Sequence, residues 1–156
     1  MNKRIIIIVG FCLVIVAFCA GLALNKAFEY DLKTLNGEKF TFAQLNEKIV
    51  IVNYFAEWCA PCLKEIPELN LFNAQSPDNV ILFAVSYDAL SNEQLNNIKN
   101  KYDIQFPLIV EQKNAFPIER PAMLPATFII KPGGKLAGQL LGEQTAETLN
   151  EAVSTL

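Results

Sequence analysis

Histidine is missing from this 156-residue chain, and cysteine, tryptophan and methionine are scarce. Because histidine is the commonest metal ligand among side chains, its absence argues against histidine-based zinc or copper sites. A covalently attached haem would also require histidine directly after the second cysteine of a CxxC pair, and Leu63 stands there. The sequence therefore predicts neither a metal nor another cofactor.

Only four cysteines are present, and Cys12 and Cys19 lie in an N-terminal apolar run, where they are expected to be small membrane residues. The remaining chain contains just Cys59 and Cys62. Two cysteines cannot supply the several disulfides that hold small secreted scaffolds together. The fold must therefore be stabilised by an apolar core, and the chain is long enough for one such domain.

Basic residues are outnumbered by acidic ones, 13 to 16. The formal net charge is −3, and Lys3 and Arg4 supply two positive charges, so residues 25–156 carry −5. A domain that binds nucleic acid normally presents a strongly basic surface. No nucleic-acid partner is therefore expected.

One long uncharged run, Ile5–Leu24, predicts a transmembrane helix. As a helix it would span about 30 Å, which matches the apolar core of a bilayer. Because the two basic residues before it favour the cytoplasmic side, the rest of the chain is expected outside. We therefore predict a signal anchor at residues 1–24 and a folded domain at residues 25–156, in a single-pass cell-membrane protein. Cleavage after Gly21-Leu22-Ala23 would instead release a secreted or periplasmic domain.

The most informative stretch is Trp58-Cys59-Ala60-Pro61-Cys62, in which two residues separate a cysteine pair. The apolar, β-branched run Ile49–Phe55 before it predicts a buried strand. The apolar residues after it recur at helical spacing, and Pro61 is tolerated in a first helical turn. Cys59 is thus expected at a helix N-terminus, where the helix dipole stabilises a thiolate. This favours thiol–disulfide exchange, with Cys59 as the exposed attacking thiol and Cys62 releasing the mixed disulfide; a purely structural disulfide is the alternative.

Turn residues and hydrophobic patterns predict the other elements. The helix after the cysteine motif should run over Cys59–Ala74 with a kink at Pro67, and Ser91 with Gln94 forms a capping-box pattern for a helix ending near Tyr102. Together these elements imply a central mixed sheet with helices on both faces. The remaining predictions are a hairpin (Phe28–Leu32 and Lys39–Phe42), a strand (Val80–Ser86), an extended piece (Phe106–Glu111), an irregular segment (Asn114–Leu124), a second hairpin (Ala126–Ile130 and Lys135–Leu141) and a closing helix (Ala146–Leu156).

This organisation resembles the thioredoxin superfamily, and within it the membrane-anchored extracytoplasmic branch. That branch includes the TlpA-like and ResA-like thiol-disulfide oxidoreductases and the cytochrome c maturation proteins of the CcmG or DsbE type. The resemblance implies an α/β thioredoxin-like fold, in which helices flank a central mixed β-sheet, with an N-terminal hairpin extension, a central helix-bearing insertion and one preceding transmembrane helix. It is carried by Asn53–Cys62, Glu65, Pro67, Leu124–Ile130 and Gly133–Lys135, with Phe28–Leu45 matching the hairpin and Asp88–Phe106 the insertion.

The resemblance also implies site residues beyond the cysteine pair. Asn53 stands where cytoplasmic thioredoxins have a buried aspartate, so Glu65 is the candidate proton carrier. The alternative for Glu65 is a solvated residue in a first helical turn. Pro125 matches a cis proline, which would leave the backbone of Leu124 free to pair with a client strand. Trp58 is expected to contact the client as well.

The implied function is a membrane-tethered enzyme that reduces disulfides of client proteins outside the cytoplasm. Apocytochrome c is the typical client of this branch, and a membrane electron donor of the CcdA or DsbD kind would re-reduce the cysteine pair. Ala126 follows the proline where CcmG-type proteins usually have glutamate, which sets the chain apart from that subtype. A peroxidase is rejected, because Ala56 stands where peroxiredoxins need threonine or serine. A peptide-binding module with a static disulfide and a disulfide-donating oxidant remain alternatives.

Overall fold

The computed structural model describes residues 30–156, together with Leu13 and Ile15. Apart from these two residues, the predicted anchor Ile5–Leu24 lies outside the described part, and so does the predicted strand start at Phe28. The chain divides into two compact units, Met1–Tyr30 and Asp31–Leu156, and every described strand belongs to the second. No helix among the described residues is both long and apolar enough to cross a membrane.

One mixed sheet of seven strands forms the centre of the described domain. The strands are β1 (Leu32–Thr34), β2 (Lys39–Phe40), β3 (Ile49–Phe55), β4 (Val80–Ser86), β5 (Leu108–Gln112), β6 (Ala126–Lys131) and β7 (Lys135–Leu141). They lie in the order β2-β1-β5-β4-β3-β6-β7. β3 is parallel to β4 and β4 to β5, whereas the other neighbouring strands are antiparallel, which confirms the predicted mixed sheet.

The strand that leads to the cysteine motif, β3, runs through the middle of the sheet, and all its residues except Tyr54 are buried. Its side chains alternate between two apolar clusters, with Ile51 in one and Val52 in the other. Aliphatic β-branched residues suit a strand that is covered on both faces. β3 and β4 have the bounds that their apolar runs predict, which confirms those two strands.

Helices cover both faces of the sheet, as predicted, but unequally. The helices are α1 (Phe42–Leu45), α2 (Ala60–Lys64), α3 (Ile66–Gln75), α4 (Asn92–Lys101) and α5 (Ala146–Ser154). The buried residues of α2–α5 all join the cluster around Ile51, whereas the opposite face carries, among the described residues, only α1 and the irregular segment with Phe116. Right-handed crossovers place α2–α4 on one face, because β3 to β4 and β4 to β5 step across the sheet in the same direction.

The helix after the cysteine motif is split in two, where the sequence predicts one kinked helix. α2 ends at Lys64, Glu65 joins the two segments, and α3 begins at Ile66. Pro67 is the cause, because its ring lacks an N–H and clashes with the carbonyl one turn earlier. The break places Glu65 at the junction, with a backbone N–H that still donates to the Pro61 carbonyl (3.2 Å).

Three further elements differ from the prediction. The first strand of the hairpin, predicted at Phe28–Leu32, is β1 at Leu32–Thr34, and residues 30 and 31 lie outside it. The short helix α1 was not expected, although its start carries a capping box in which Thr41 Oγ1 accepts from the Gln44 N–H (3.2 Å). Four residues are too few to show a helical period, so only the capping residues could have predicted it. The predicted extended piece near Phe106 is β5, a full member of the sheet between β1 and β4.

The predicted turns and helix starts are confirmed in the described domain. Gly37 in the first hairpin and Gly133 and Gly134 in the second have φ values of 89°, 88° and 74°, a backbone region that glycine adopts without strain. α4 begins at Ser91, whose Oγ accepts from the Gln94 N–H (3.2 Å) in the predicted capping box. Glycine and capping residues are therefore reliable markers here.

A chain that begins at residue 25 should fold without the apolar N-terminal run. The reason is that the sheet, both apolar clusters and the cysteine motif all lie within Asp31–Leu156. We expect a single cooperative thermal transition and the exchange activity of the full chain. Circular dichroism and a peptide-disulfide assay would measure both, and aggregation or inactivity of the shortened chain would contradict the prediction.

Candidate active site

Cys59 and Cys62 form a disulfide at the N-terminus of α2, with an S–S distance of 2.04 Å and a Cα–Cα distance of 5.3 Å. Cys59 is the N-cap of the helix, and its Sγ accepts a hydrogen bond from the backbone N–H of Cys62 (3.3 Å). Pro61 occupies the first turn, as its missing N–H allows. The chain thus leaves the end of β3 and places Cys59 at a helix N-terminus, where a thiolate is stabilised.

Both sulfur-bearing residues are buried in the oxidised form, whereas the sequence predicts an exposed Cys59. Cys59 is 4% exposed and Cys62 is 1% exposed, and both belong to the main apolar cluster. The physical reason is packing, because Cys59 joins the apolar cluster that also contains Phe55, Ala56 and Cys62. Trp58, which directly precedes the pair, is 66% exposed and presents a large apolar side chain at the surface beside it.

Glu65 is a buried carboxylate, only 1% exposed, and both of its oxygens accept hydrogen bonds. Oε1 accepts from the Asn53 side-chain amide (2.8 Å), and Oε2 accepts from the backbone N–H of Gln144 (2.9 Å). Gln144 directly precedes Thr145, the N-cap of α5. Glu65 therefore connects the cysteine helix to the central strand and to the closing helix. It is not the solvated residue of the alternative interpretation.

The environment of Glu65 raises the pKa of its carboxyl from an ordinary 4.5 to about 7. Burial is the main cause, because removing a carboxylate from water disfavours its charged form. The hydrogen bonds from Gln144 and Asn53 partly oppose the rise, and the negative charge of Glu143 adds to it. A group with this pKa takes up and releases protons near neutral pH.

Asn53 orients the carboxylate and cannot replace it. Its side-chain nitrogen donates to Glu65 Oε1 and also to the hydroxyl of Thr127 (3.0 Å), which lies opposite it on β6. An amide does not accept a proton at physiological pH, whereas the aspartate it replaces would. Sequence reasoning missed Thr127 and Gln144, since their partners lie 74 and 79 residues away and no local pattern reports such pairs.

The bond between Leu124 and Pro125 is cis, as predicted. The Pro125 carbonyl accepts from the Gly142 N–H (3.0 Å), which secures the start of β6 against the end of β7. Leu124 lies just outside β6 and is half-buried, and its backbone forms no hydrogen bond within residues 30–156. Its N–H and carbonyl are thus open to an added strand.

Trp58 is held by contacts that the sequence did not reveal. Its indole N–H donates to a carboxylate oxygen of Asp88 (2.8 Å), and its ring meets the Tyr87 ring edge-on at 6.2 Å. Tyr87 and Asp88 directly follow β4, at the same edge of the sheet as the cysteine motif. The exposed indole is therefore fixed in orientation beside the disulfide.

A CxxC disulfide at a helix N-terminus and a cis proline before an adjacent strand, on a central mixed sheet, define a thioredoxin-like protein thiol-disulfide oxidoreductase. The chain belongs to the AhpC/TSA family, whose model matches residues 23–139. It is 30% identical to the thiol-disulfide oxidoreductase ResA of Bacillus anthracis over 127 residues, which cover 80% of this chain and 73% of that relative.

Two further comparisons agree with this class. The sporulation thiol-disulfide oxidoreductase A of Bacillus subtilis is 25% identical over 163 residues, with 97% of each chain covered. The crystal structure of StoA from Bacillus subtilis superimposes with a TM-score of 0.67 and 26% identity, covering 80% of this chain and 95% of that one. The inferred resemblance to ResA-like thiol-disulfide oxidoreductases of thioredoxin-like fold is thereby confirmed.

Proposed function

We propose that the chain is a membrane-tethered reductant of disulfides in client proteins outside the cytoplasm. The observation that carries the proposal is the buried carboxylate of Glu65, at the end of the short helix that bears the cysteine pair. A proton carrier titrating near pH 7 suits a dithiol that must lose two protons each time it reduces a client. A disulfide that never exchanges would not require a proton carrier.

The proposed reaction passes through one mixed disulfide. The Cys59 thiolate attacks one sulfur of the client disulfide, so a new S–S bond forms and the other client sulfur leaves as a thiolate that takes a proton. Cys62 then loses its proton and attacks the Cys59 sulfur, which releases the second client thiolate. This second client thiolate also takes a proton from solvent. The client thus gains two electrons from the cysteine pair and two protons from solvent, and the enzyme ends with the Cys59–Cys62 disulfide.

Glu65 is proposed to accept the proton of Cys62 in the second step and to return it when the pair is reduced again. Cys62 and Glu65 are three residues apart at the end of α2, a spacing that places side chains on one face of a helix. The Asn53 amide holds Oε1 of the carboxylate in place through its 2.8 Å hydrogen bond. The ionised form needed to accept the proton is therefore available above about pH 7.

The client is proposed to bind in extended form across the disulfide. The free backbone of Leu124 offers the hydrogen bonds of an added strand, and the exposed ring of Trp58 offers apolar surface. Apocytochrome c, which carries its own CxxC pair, is the proposed client. A membrane electron donor of the CcdA or DsbD kind is proposed to return the pair to the dithiol.

Tethering is proposed to rest on Ile5–Leu24, with the two preceding basic residues in the cytoplasm. An uncharged run of this length supports an anchor. A tethered reductant stays close to both a membrane-bound donor and newly exported clients. The alternative is a secreted or periplasmic domain released by cleavage near residue 23.

The reduction potential of the cysteine pair tests the direction of electron flow. We expect a value near that of thioredoxin, about −270 mV, because a reductant must give up electrons to client disulfides. Equilibration of the full chain with glutathione or dithiothreitol buffers, followed by thiol trapping, would measure it. A potential near about −120 mV, that of a strong oxidant, would show that the chain donates disulfides instead.

A further inference from the structure

A polar hollow of about 390 Å³ lies at the carboxyl ends of β3 and β4. These two strands are parallel, with Tyr54 opposite Val85 and Phe55 opposite Ser86. Ligands in open α/β sheets commonly bind at the carboxyl ends of parallel strands. The exchange mechanism above assigns no step to the residues that line the hollow, which are Tyr54, Ser86, Tyr87, Asp88, Ala89 and Arg120.

Arg120 is held in place by Tyr87 and retains most of its hydrogen-bonding capacity. Its Nη2 donates to the Tyr87 carbonyl (2.8 Å), and the guanidinium carbon lies 3.8 Å from the centroid of the Tyr87 ring. A guanidinium has five N–H donors, so several remain for a ligand. Within residues 30–156, no carboxylate lies within ion-pair distance of Arg120. The cation is thus positioned without a partner of opposite charge.

The Tyr54 hydroxyl completes the polar lining. The Oγ of Ser86 is buried away from solvent, and the alternation of side chains along β4 places it on the face of the sheet opposite Tyr54, so it does not reach a ligand in the hollow. Burial raises the pKa of the Tyr54 hydroxyl above its ordinary value, and the positive charge of Arg120 opposes that rise. Asp88, the acidic residue of the hollow, already accepts from the Trp58 indole. The hollow therefore offers one fixed cation and one hydroxyl donor.

We propose that Arg120 and Tyr54 form a subsite for a carboxylate of the client, an aspartate or glutamate side chain close in sequence to the client disulfide. A guanidinium forms paired hydrogen bonds with a carboxylate, whose planar geometry matches its own. A carboxylate accepts several hydrogen bonds at once, so the hydroxyl of Tyr54 can donate to the same group. The inference rests on the proposed function, because a client must present its disulfide to Cys59.

The subsite lies along the path that a bound client would take. The Tyr87 ring, on which the Arg120 guanidinium stacks, also packs against Trp58, the residue before Cys59. On its other side Arg120 borders a hollow of about 310 Å³ together with Met123, which is 59% exposed and precedes Leu124. A strand paired with Leu124 and crossing the disulfide would therefore pass Arg120.

The test measures preference for an acidic client. Disulfide-linked peptides carry either one glutamate or one glutamine at each position from three residues before the cysteine to three after it. For the full chain, kcat/KM should favour glutamate over glutamine by roughly tenfold at the best position, the effect of one hydrogen bond to a charged group. In Arg120→Gln that ratio should fall to about one, and Arg120→Lys should keep part of it. Added salt should reduce the wild-type ratio.

Three other variants separate the subsite from general electrostatics. Tyr54→Phe and Ser86→Ala each remove a hydroxyl without changing the charge. Tyr54→Phe should lower the ratio by roughly two- to fivefold, whereas Ser86→Ala, on the opposite face of the sheet, should keep it. Lys101→Gln removes an exposed cation that pairs with Glu57 (2.9 Å) and borders a neighbouring hollow with Trp58. This matched control should keep the wild-type ratio. An equal loss of preference in Lys101→Gln would overturn the proposal, because it would show a long-range charge effect.

Binding of unreactive peptides distinguishes failure of the subsite from failure of the proposed function. The same peptides with serine in place of cysteine are titrated onto the oxidised full chain, and Kd should be lower for glutamate by a similar factor. This preference would support the subsite even if no disulfide peptide were reduced, a result that would count against the reductant alone. Equal Kd values at every position would overturn the subsite. If Arg120→Gln changed Kd equally for the glutamate and glutamine peptides, the subsite would also be overturned, because Arg120 would then only support Tyr87.

Discussion

Replacing Cys62 by serine should convert the enzyme into a trap that accumulates a mixed disulfide with its client. Cys59 can still attack, because it caps α2 and its sulfur accepts the backbone N–H of residue 62, a contact that does not need the second thiol. The step that releases the client is lost, since serine cannot displace a thiolate from sulfur. Turnover should fall by roughly three orders of magnitude or more, the loss typical of removing a reacting group.

The matched control is Cys59→Ser, which should lose turnover to the same extent without trapping client. Both variants are made with Cys12→Ala and Cys19→Ala, so that the other two thiols cannot react. Non-reducing electrophoresis and intact mass would detect the adduct. Trapping by Cys59→Ser in place of Cys62→Ser would reverse the assigned roles. Trapping by neither, with turnover retained, would remove the pair from the reaction altogether.

Glu65→Gln should slow the release of reduced client by roughly a hundredfold at pH 7, the lower end of what general acid–base catalysis contributes. In the wild type this rate should rise as the pH passes through about 7, where the carboxyl ionises and can accept the Cys62 proton. In the variant that inflection should disappear, and the rate should instead follow ionisation of the thiol itself. Single-turnover rates from pH 5 to 9 would measure both profiles.

Glu68→Gln is the matched control for Glu65→Gln. Glu68 lies one turn further along and also accepts a backbone N–H at the start of α5, from Ala146 (3.0 Å), so it shares the capping role without the contact to Asn53. Its variant should keep the wild-type inflection near pH 7. If the pH–rate profile of Glu65→Gln superimposed on that of the wild type, Glu65 would have only a structural role between the helices.

The same carboxyl should make stability depend on pH in a defined direction. Its pKa is raised on folding, so the folded chain binds the proton more tightly and loses relative stability when that proton leaves. The free energy of unfolding of the oxidised wild type should fall by up to about 3 kcal/mol as the pH rises from about 4.5 to beyond 7. The Glu65→Gln variant should lack this contribution, which denaturant titrations at several pH values would show.

The redox motif and most of the helices and strands were predictable because each has a local sequence pattern. The apolar, β-branched run Ile49–Phe55 has the composition of a strand covered on both faces, and it forms one. Ser91 and Gln94 lie three residues apart and form the capping box that starts α4. The spacing of Cys59 and Cys62 alone indicates exchange chemistry, since both thiols can reach each other across one helical turn.

The chemistry around the motif depends on residues that no local pattern joins. Glu65 stands in a stretch that could equally be a solvated helix turn, and the break caused by Pro67 together with Asn53 and Gln144 makes it a buried carboxylate. The stacking of Arg120 on Tyr87 likewise joins residues 33 positions apart.

The sequence by itself determined the CxxC pair and the strand that precedes it, because spacing and composition are properties of short segments, and the resemblance to the thioredoxin superfamily located the cis proline. Only the tertiary structure decided the protonation of Glu65 and the partners of Asn53 and Arg120. Burial and charge at a site are set by strand register and by the packing of distant helices, as the pairing of Asn53 with Thr127 across β3 and β6 shows.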